Sequence, residues 1–359
     1  MISTHDDSLI IRTWHEIATS AIHARASDIH IEARSDVTLV RLRVDGLLQI
    51  QSQYPSDLHD RLITRIKVLA RLDIAEKRLP QDGRLSIGLD FSKPNIDCRI
   101  AILPTLYGEK AVIRILPSCI ADLELQKLGL LESQLAIFQE ALSQSSGLIL
   151  VTGPTGSGKT RTLYSCLQQL NQQHLNLCSI EDPIEIRLQG VNQVAYHPRA
   201  GLDFPTIIRA LLRQDPDVIM IGEIRDTATA ELAIQASQTG HLVLSTLHTR
   251  NAWGAISRLK NLGIDQESLE SCLLIISAQR LARKICQQCI QLSSADTTLC
   301  PSCNGSGYFG RIGIHEVLSK SHLFDPSISY ISLLEAGLAH IQTGLTSKAA
   351  LNSEIGTWH

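Results

Sequence analysis

The sequence predicts a two-domain protein in which an α/β domain with a parallel-strand core follows a smaller α+β domain. Three observations carry that expectation. The run Gly153-Pro154-Thr155-Gly156-Ser157-Gly158-Lys159-Thr160 fits the phosphate-loop pattern GxxxxGK[ST], between the apolar stretch 148–151 and a helical pattern over 160–170. Buried-strand runs at 148–151, 175–180, 218–221 and 241–245 alternate with helix-like segments, the order that builds a parallel sheet. A length of 359 residues suffices for two cores.

In the first half, Ile10, Trp14, Ile17, Ala18, Ala21 and Ile22 recur at helical spacing. Residues 27–32 alternate as a strand. Val40, Leu42 and Val44 alternate with Arg41, Arg43 and Asp45, and Asp45-Gly46 supplies a hairpin turn before Leu47. Leu58, Leu62, Ile66 and Leu69 mark a second helix. Ile96, Cys98, Ile100 and Ile102 line one face of a further strand, which turns Asp97 and Arg99 to the other. The domain boundary is expected at Pro117 or in the polar segment 121–124, giving domains 1–120 and 121–359.

In the second half the phosphate-loop glycines let successive backbone N–H groups curl toward phosphate oxygens. Lys159 adds a cation, Thr160 a hydroxyl for Mg2+, and the following helix its N-terminal dipole. The motif in this context predicts binding of a nucleoside triphosphate, at the carboxyl end of the first strand of the parallel sheet. Phosphoryl transfer also needs carboxylates and cations placed around the phosphates. Ser179-Ile180-Glu181-Asp182-Pro183-Ile184-Glu185 puts three carboxylates at a strand terminus. Val218-Ile219-Met220-Ile221-Gly222-Glu223 is an apolar strand ending in an acid, the Walker B layout with Gly222 where an Asp is common. His241 and His248 bracket the fourth strand.

Composition narrows the function classes. The chain is 44% hydrophobic and 19% charged, and 33 basic against 36 acidic residues leave a formal charge of −3. That balance, with 4% aromatics, disfavours a nucleic-acid translocase or other direct nucleic-acid binding. No apolar run reaches the ~18–20 residues of a membrane span and no signal peptide is expected, so any membrane association is peripheral. Of nine cysteines, four fall in Cys286-x2-Cys289-x10-Cys300-x2-Cys303, followed by a glycine-rich segment. Two close Cys-x-x-Cys pairs predict tetrahedral Zn2+ in a reducing compartment, structural because four thiolates leave no open position.

Taken in order, these motifs resemble those of the type II secretion and type IV pilus assembly ATPases, or traffic ATPases. The resemblance runs over residues 9–318 and rests on 26–32, Arg41-Leu42-Arg43-Val44-Asp45-Gly46, 79–84, the phosphate loop, the acidic box 181–185, 218–226 and 239–251. It implies a RecA-like second domain, a PAS-like first domain, and a homohexamer that hydrolyses ATP to power assembly of a type IV pilus, competence pilus or type II secretion pseudopilus. The expected place of work is the inner face of the cytoplasmic membrane, against a polytopic platform protein. In that reading Lys159 and Thr160 hold phosphate and Mg2+, and Glu185 and Glu223 position water and metal. His241 and His248 form a histidine box that senses the γ-phosphate, and Arg99, Arg114, Arg209 and Arg213 reach phosphates. The cysteine module, taken as 284–312 and followed by a helical tail, is similar to that of assembly and secretion members rather than retraction members. Two departures are expected: the long amino-terminal docking region of many members is missing, and the loop between the cysteine pairs is short.

Overall fold

The computed structural model describes residues 4–88, 95–116, 123–291, 300–325 and 327–356. The chain forms two compact units, Met1–Ile120 and Ala121–His359. The boundary candidates Pro117 and Ala121, and residues 292–299 of the cysteine module, lie outside the described residues.

The first unit runs α1 (Thr4–His23), β1 (Asp28–Ala33), β2 (Val37–Val44), β3 (Leu47–Pro55), α2 (His59–Ala70), β4 (Gln81–Ile87), β5 (Ile96–Thr105) and β6 (Gly108–Ile115). The six strands make an antiparallel sheet in the order β3-β2-β1-β6-β5-β4. Period-2 alternation turns Ile29, Ile31, Val40, Leu42, Ile100, Ile102 and Ile113 to one face. There they bury against Trp14, Ile17 and Ala21 of α1 and Leu62 and Ile66 of α2. The same alternation loads the opposite face with charge. Register places Arg43, Asp28, Arg114, Arg99 and Arg84 in one row across β2, β1, β6, β5 and β4. Asp28 accepts a hydrogen bond from Arg114 Nε at 3.0 Å, and Arg43 Nε lies 3.9 Å from it. The row thus holds one carboxylate and four arginines, two of which, Arg43 and Arg114, approach Asp28.

The second unit opens with α3 (Glu132–Leu142), β7 (Gly147–Thr152), α4 (Lys159–Leu170), β8 (Leu177–Glu181), β9 (Val191–Ala195), α5 (Phe204–Leu211), β10 (Val218–Ile221), α6 (Thr227–Gln238) and β11 (Leu242–Leu247). It continues through α7 (Ala252–Asn261), α8 (Gln266–Cys272), β12 (Leu273–Ile285), α9 (Gln287–Gln291), β13 (Tyr308–Ser319), α10 (Lys320–Phe324), α11 (Leu333–Gln342) and α12 (Lys348–Ile355). The sheet order is β13-β12-β7-β11-β10-β8-β9, parallel throughout except for β13. β7, β8, β10 and β11 are buried at every position, as expected for strands covered on both faces.

The four strands read from sequence are therefore part of a seven-stranded sheet. β9, β12 and β13 escape a periodicity search for a physical reason. β12 is apolar where it lies beside β7 and turns to Gln279, Arg280, Arg283 and Lys284 as it leaves the core. β9 lies at the sheet edge and is nowhere fully buried. Among the described residues no helix is long and apolar enough to cross a membrane.

Candidate nucleotide and metal sites

β7 delivers the chain to Gly153, and α4 takes over at Lys159. Gly153 has φ +145°, and a Cβ there would stand 2.6 Å from both the Gln279 carbonyl oxygen and Ser157 Oγ. Gly158, the residue before α4, has φ +90°, and its Cβ would meet Gln279 Nε2 at 2.8 Å. Both positions need glycine for backbone conformation and for space. Pro154, Thr155 and Gly156 form the exposed crown of the loop, while Ser157 is buried and Thr160 half-buried in the first turn of α4. Lys159 Nζ donates to the carbonyls of Gly153 at 2.9 Å and Pro154 at 3.0 Å. Burial lowers its pKa, Glu223 works against that shift and Arg280 adds to it.

Three other parallel strands end on the same side of the sheet as this loop. Glu223 follows β10 by two residues, His248 follows β11 by one, and Asp182 follows β8 by one. The ends of β10 and β11 are tied together: Ile224 N–H donates to the Thr246 carbonyl at 3.0 Å, and Thr246 Oγ1 donates to the Gly222 carbonyl at 2.7 Å. Glu223 accepts a hydrogen bond from Arg225 and lies 3.7 Å from His248 Nε2. Arg225 also stands 3.6 Å from Asp182. Burial and, after it, the Lys159 charge hold the His248 pKa below its ordinary value, with Glu223 opposing. Lys159, Glu223 and His248 therefore share one electrostatic neighbourhood at the carboxyl ends of the sheet.

Of the three acidic-box carboxylates, one differs from the expectation. Glu181 is buried and accepts hydrogen bonds from Tyr164 Oη, from Ser179 Oγ at 2.6 Å and from Gln193 Nε2 at 2.9 Å, so its oxygens serve the fold. Burial, then the hydrogen bond to Glu181, raises the Tyr164 pKa. Glu185 is exposed, and its backbone N–H donates to the same Tyr164 oxygen at 3.3 Å. Tyr164 on α4 thus links the phosphate-loop helix to the segment that carries Glu185.

His241 stands apart from the phosphate loop of this chain. It precedes β11, at the amino end of the strand whose carboxyl end carries His248. The six residues of β11 put it ~20 Å from that end at ~3.3 Å per residue. Its Nδ1 instead faces the Ala236 carbonyl at 3.0 Å, closing the end of α6. Arg209 and Arg213 also stand apart from the phosphate loop of this chain. Both are exposed, Arg209 on α5 and Arg213 just beyond, with Arg213 Nη1 donating to the Arg209 carbonyl at 2.7 Å. The neighbouring Gln214 carbonyl accepts from Asn176, which precedes β8, so this end of α5 belongs to the amino ends of the strands. Arg99 and Arg114 lie in the arginine row of the first unit. The sequence reading missed Arg225, Tyr164 and Gln279; only Arg225, two residues past the strand-end acid, carries a local signal.

β12 runs directly into Cys286, and β13 begins five residues after Cys303. The Cys286 N–H donates to the Gly307 carbonyl at 2.9 Å, which closes the knuckles into one small unit. The four sulfurs lie within 4.8 Å of one another, with Cys286 and Cys300 at 3.8 Å and Cys289 and Cys303 at 3.3 Å. Four thiols so close fit a tetrahedral ion with metal–sulfur bonds of ~2.3 Å, and the donor set suits zinc.

A phosphate loop at the carboxyl end of a parallel sheet, with acidic, basic and imidazole groups converging on it, defines a P-loop ATPase. A family model described as "Type II/IV secretion system protein" matches residues 3–335, and the chain belongs to that family. It is 46% identical over 352 residues to "Protein transport protein HofB homolog" of Haemophilus influenzae, covering 98% of this chain and 74% of that one. It is 41% identical to "Type IV pilus assembly ATPase PilB" of Acinetobacter baylyi (97% and 66%) and 42% identical to "Type II secretion system ATPase E" of Vibrio cholerae (94% and 70%). The chain spans about two thirds to three quarters of the length of these relatives. Among solved structures, the pilus retraction motor PilT with bound ADP aligns with TM-score 0.61 at 26% identity, covering 94% of this chain and 96% of that one. The Legionella pneumophila ATPase DotB aligns with TM-score 0.71 at 20% identity (94% and 93%), a likeness of fold.

Proposed function

We propose that this chain is a mechanochemical ATPase that drives assembly of a type IV pilus, competence pilus or type II secretion pseudopilus. It works as a homohexamer at the inner face of the cytoplasmic membrane against a polytopic platform protein. The observation that carries the chemistry is the convergence of Lys159, Glu223 and His248 at the carboxyl ends of β7, β10 and β11. The names of the similar proteins supply the apparatus.

In this reading the backbone N–H groups of the loop and the Lys159 ammonium bind the β- and γ-phosphates, and their charge is offered where negative charge builds in the transition state. Thr160 and Glu223 are the side chains suited to hold Mg2+, which would neutralise phosphate charge. Glu223 and Glu185 orient the attacking water. His248, kept neutral near pH 7 by its surroundings, offers a ring N–H to the γ-phosphate and registers its loss. Arg99 and Arg114 are assigned to phosphate by the resemblance alone. Arg209 and Arg213, exposed and away from this chain's own loop, are assigned to the neighbouring subunit's nucleotide. His241 has no part in this account. Cys286, Cys289, Cys300 and Cys303 hold a structural Zn2+.

The test is Mg2+-dependent ATPase activity measured against protein concentration. Specific activity should rise as rings form, and Lys159→Ala should abolish it. Equal turnover in the wild type and Lys159→Ala would overturn the reading.

A further inference from the structure

Gln279 is buried to 2% exposure on β12, and both ends of its amide are spoken for. Its Oε1 accepts from Thr162 Oγ1 of α4 at 2.8 Å, and its Nε2 donates to the Ser157 carbonyl of the phosphate loop at 2.6 Å. Its backbone carbonyl, which also accepts from Arg280 Nη1 at 3.0 Å, is the atom a side chain at Gly153 would strike. One residue from a neighbouring strand therefore touches the first glycine of the loop, the Ser157–Gly158 peptide, and the first turn of the helix.

From this we infer that Gln279 is a positioning residue for the nucleotide, acting through the Ser157–Gly158 peptide. In a trans peptide the C=O and the N–H point in opposite directions. Pinning the Ser157 carbonyl outward against β12 turns the Gly158 N–H inward, toward the cradle where the phosphates sit. Without the amide, that peptide can rotate, because Gly158 has no side chain to restrict it. The Ser157 carbonyl fixes which way the amide faces: it can only accept, so the nitrogen end meets Ser157 and the oxygen end is left to accept from Thr162. The tight approach of Gly158 to Nε2 keeps that arrangement closed. The loop is thus held in its binding form before ligand arrives, and ordering it costs little on binding.

A hydrogen bond to phosphate formed in both ground and transition states affects affinity and leaves the chemical step nearly unchanged. This inference rests on the ATPase reading, and the experiment separates the two. Affinity for a fluorescent ADP analogue, KM and kcat for ATP, and thermal stability are measured on the full chain for wild type, Lys159→Ala, Gln279→Leu, Gln279→Glu and Thr162→Val. Gln279→Leu removes both hydrogen bonds, Gln279→Glu removes the amide donor to Ser157 and adds a carboxylate beside the loop while keeping an acceptor for Thr162, and Thr162→Val removes the Thr162 arm together with its hydroxyl contact to the Gly158 carbonyl at 3.5 Å. The expected result is that Gln279→Leu and Gln279→Glu raise the ADP Kd and the KM for ATP together by roughly tenfold, with kcat within about threefold of wild type. Thr162→Val should give a smaller rise of the same kind. If Gln279→Leu does not fold, Gln279→Glu and Thr162→Val decide. A melting temperature that falls while Kd and KM stay within twofold of wild type makes Gln279 purely structural and overturns the inference. So does a loss confined to kcat. A wild-type chain that binds no nucleotide overturns both readings; one that binds, with Lys159→Ala defective and the Gln279 variants normal, overturns this one alone.

Discussion

Glu223 and His248 lie 3.7 Å apart although 25 positions separate them in the chain, because β10 and β11 are parallel neighbours whose register sets Ile221 against Ser245 and so brings the residues just beyond both strands to nearly the same level. The hydrogen bonds across their ends hold that spacing, and Arg225 occupies the Glu223 carboxylate from the other side. A carboxylate so placed is constrained before substrate enters.

The first prediction concerns that carboxylate. Glu223→Gln and Glu185→Gln keep shape and lose charge, so ATP binding should persist while turnover falls by one hundredfold or so. Single-turnover hydrolysis beside equilibrium binding reads the two separately. Parental rates in both variants would remove these residues from the mechanism.

Zinc is the second. Each purified chain should carry one zinc ion, and Cys286→Ser should lower stability more than nucleotide affinity. Four thiolates on two knuckles organise their own small unit, so chelation should loosen residues 284–312 before the parallel sheet. Elemental analysis and hydrogen exchange give the check; a folded, active preparation without stoichiometric metal would be decisive against the site.

A third prediction lies in the first unit. Lys67, 1% exposed, pairs with Glu109 at 2.7 Å and also donates to the Glu76 carbonyl at 2.7 Å. Removing one partner strands a buried charge, so Glu109→Ala should cost about 3–5 kcal/mol in denaturant unfolding. Lys67→Met combined with Glu109→Leu should recover most of that loss. A single substitution costing under about 1 kcal/mol would show that the pair is hydrated.

The fourth concerns acid stability. His315 is fully buried, and its Nε2 faces the Leu128 carbonyl at 3.3 Å. Burial brings its pKa down to about 4 from 6.5, the carbonyl opposing and His340 assisting. The unfolded chain therefore takes up the proton first, so this contribution is complete above pH ~6.5 and is lost as pH falls toward 4. The shift corresponds to about 3 kcal/mol at ~1.4 kcal/mol per unit. Unfolding midpoints followed from pH 7 to 4.5 should drop less steeply in His315→Gln; an unchanged slope would place the acid sensitivity elsewhere.

Much of this was legible in the linear sequence because short-range stereochemistry writes it there. Alternation at Val40, Leu42 and Val44, helical spacing from Ile10 to Ile22, the glycines of the phosphate loop and two Cys-x-x-Cys pairs each act over a few residues. No pairing partner is needed to read them.

What only the tertiary structure decided is which of those residues meet. Glu181 and Glu185 look alike in the acidic box, yet a tyrosine from α4 and a glutamine from β9 claim the first and leave the second exposed. His241 and His248 flank one strand, and the length of that strand alone sends the first to the far edge of the sheet. Gln279, with no local motif, reaches the phosphate loop because β12 pairs with β7, a contact across 122 positions of sequence. Local sequence determines the conformations a segment can adopt. Strand order and register, selected by burial of the whole sheet, determine which side chains become neighbours.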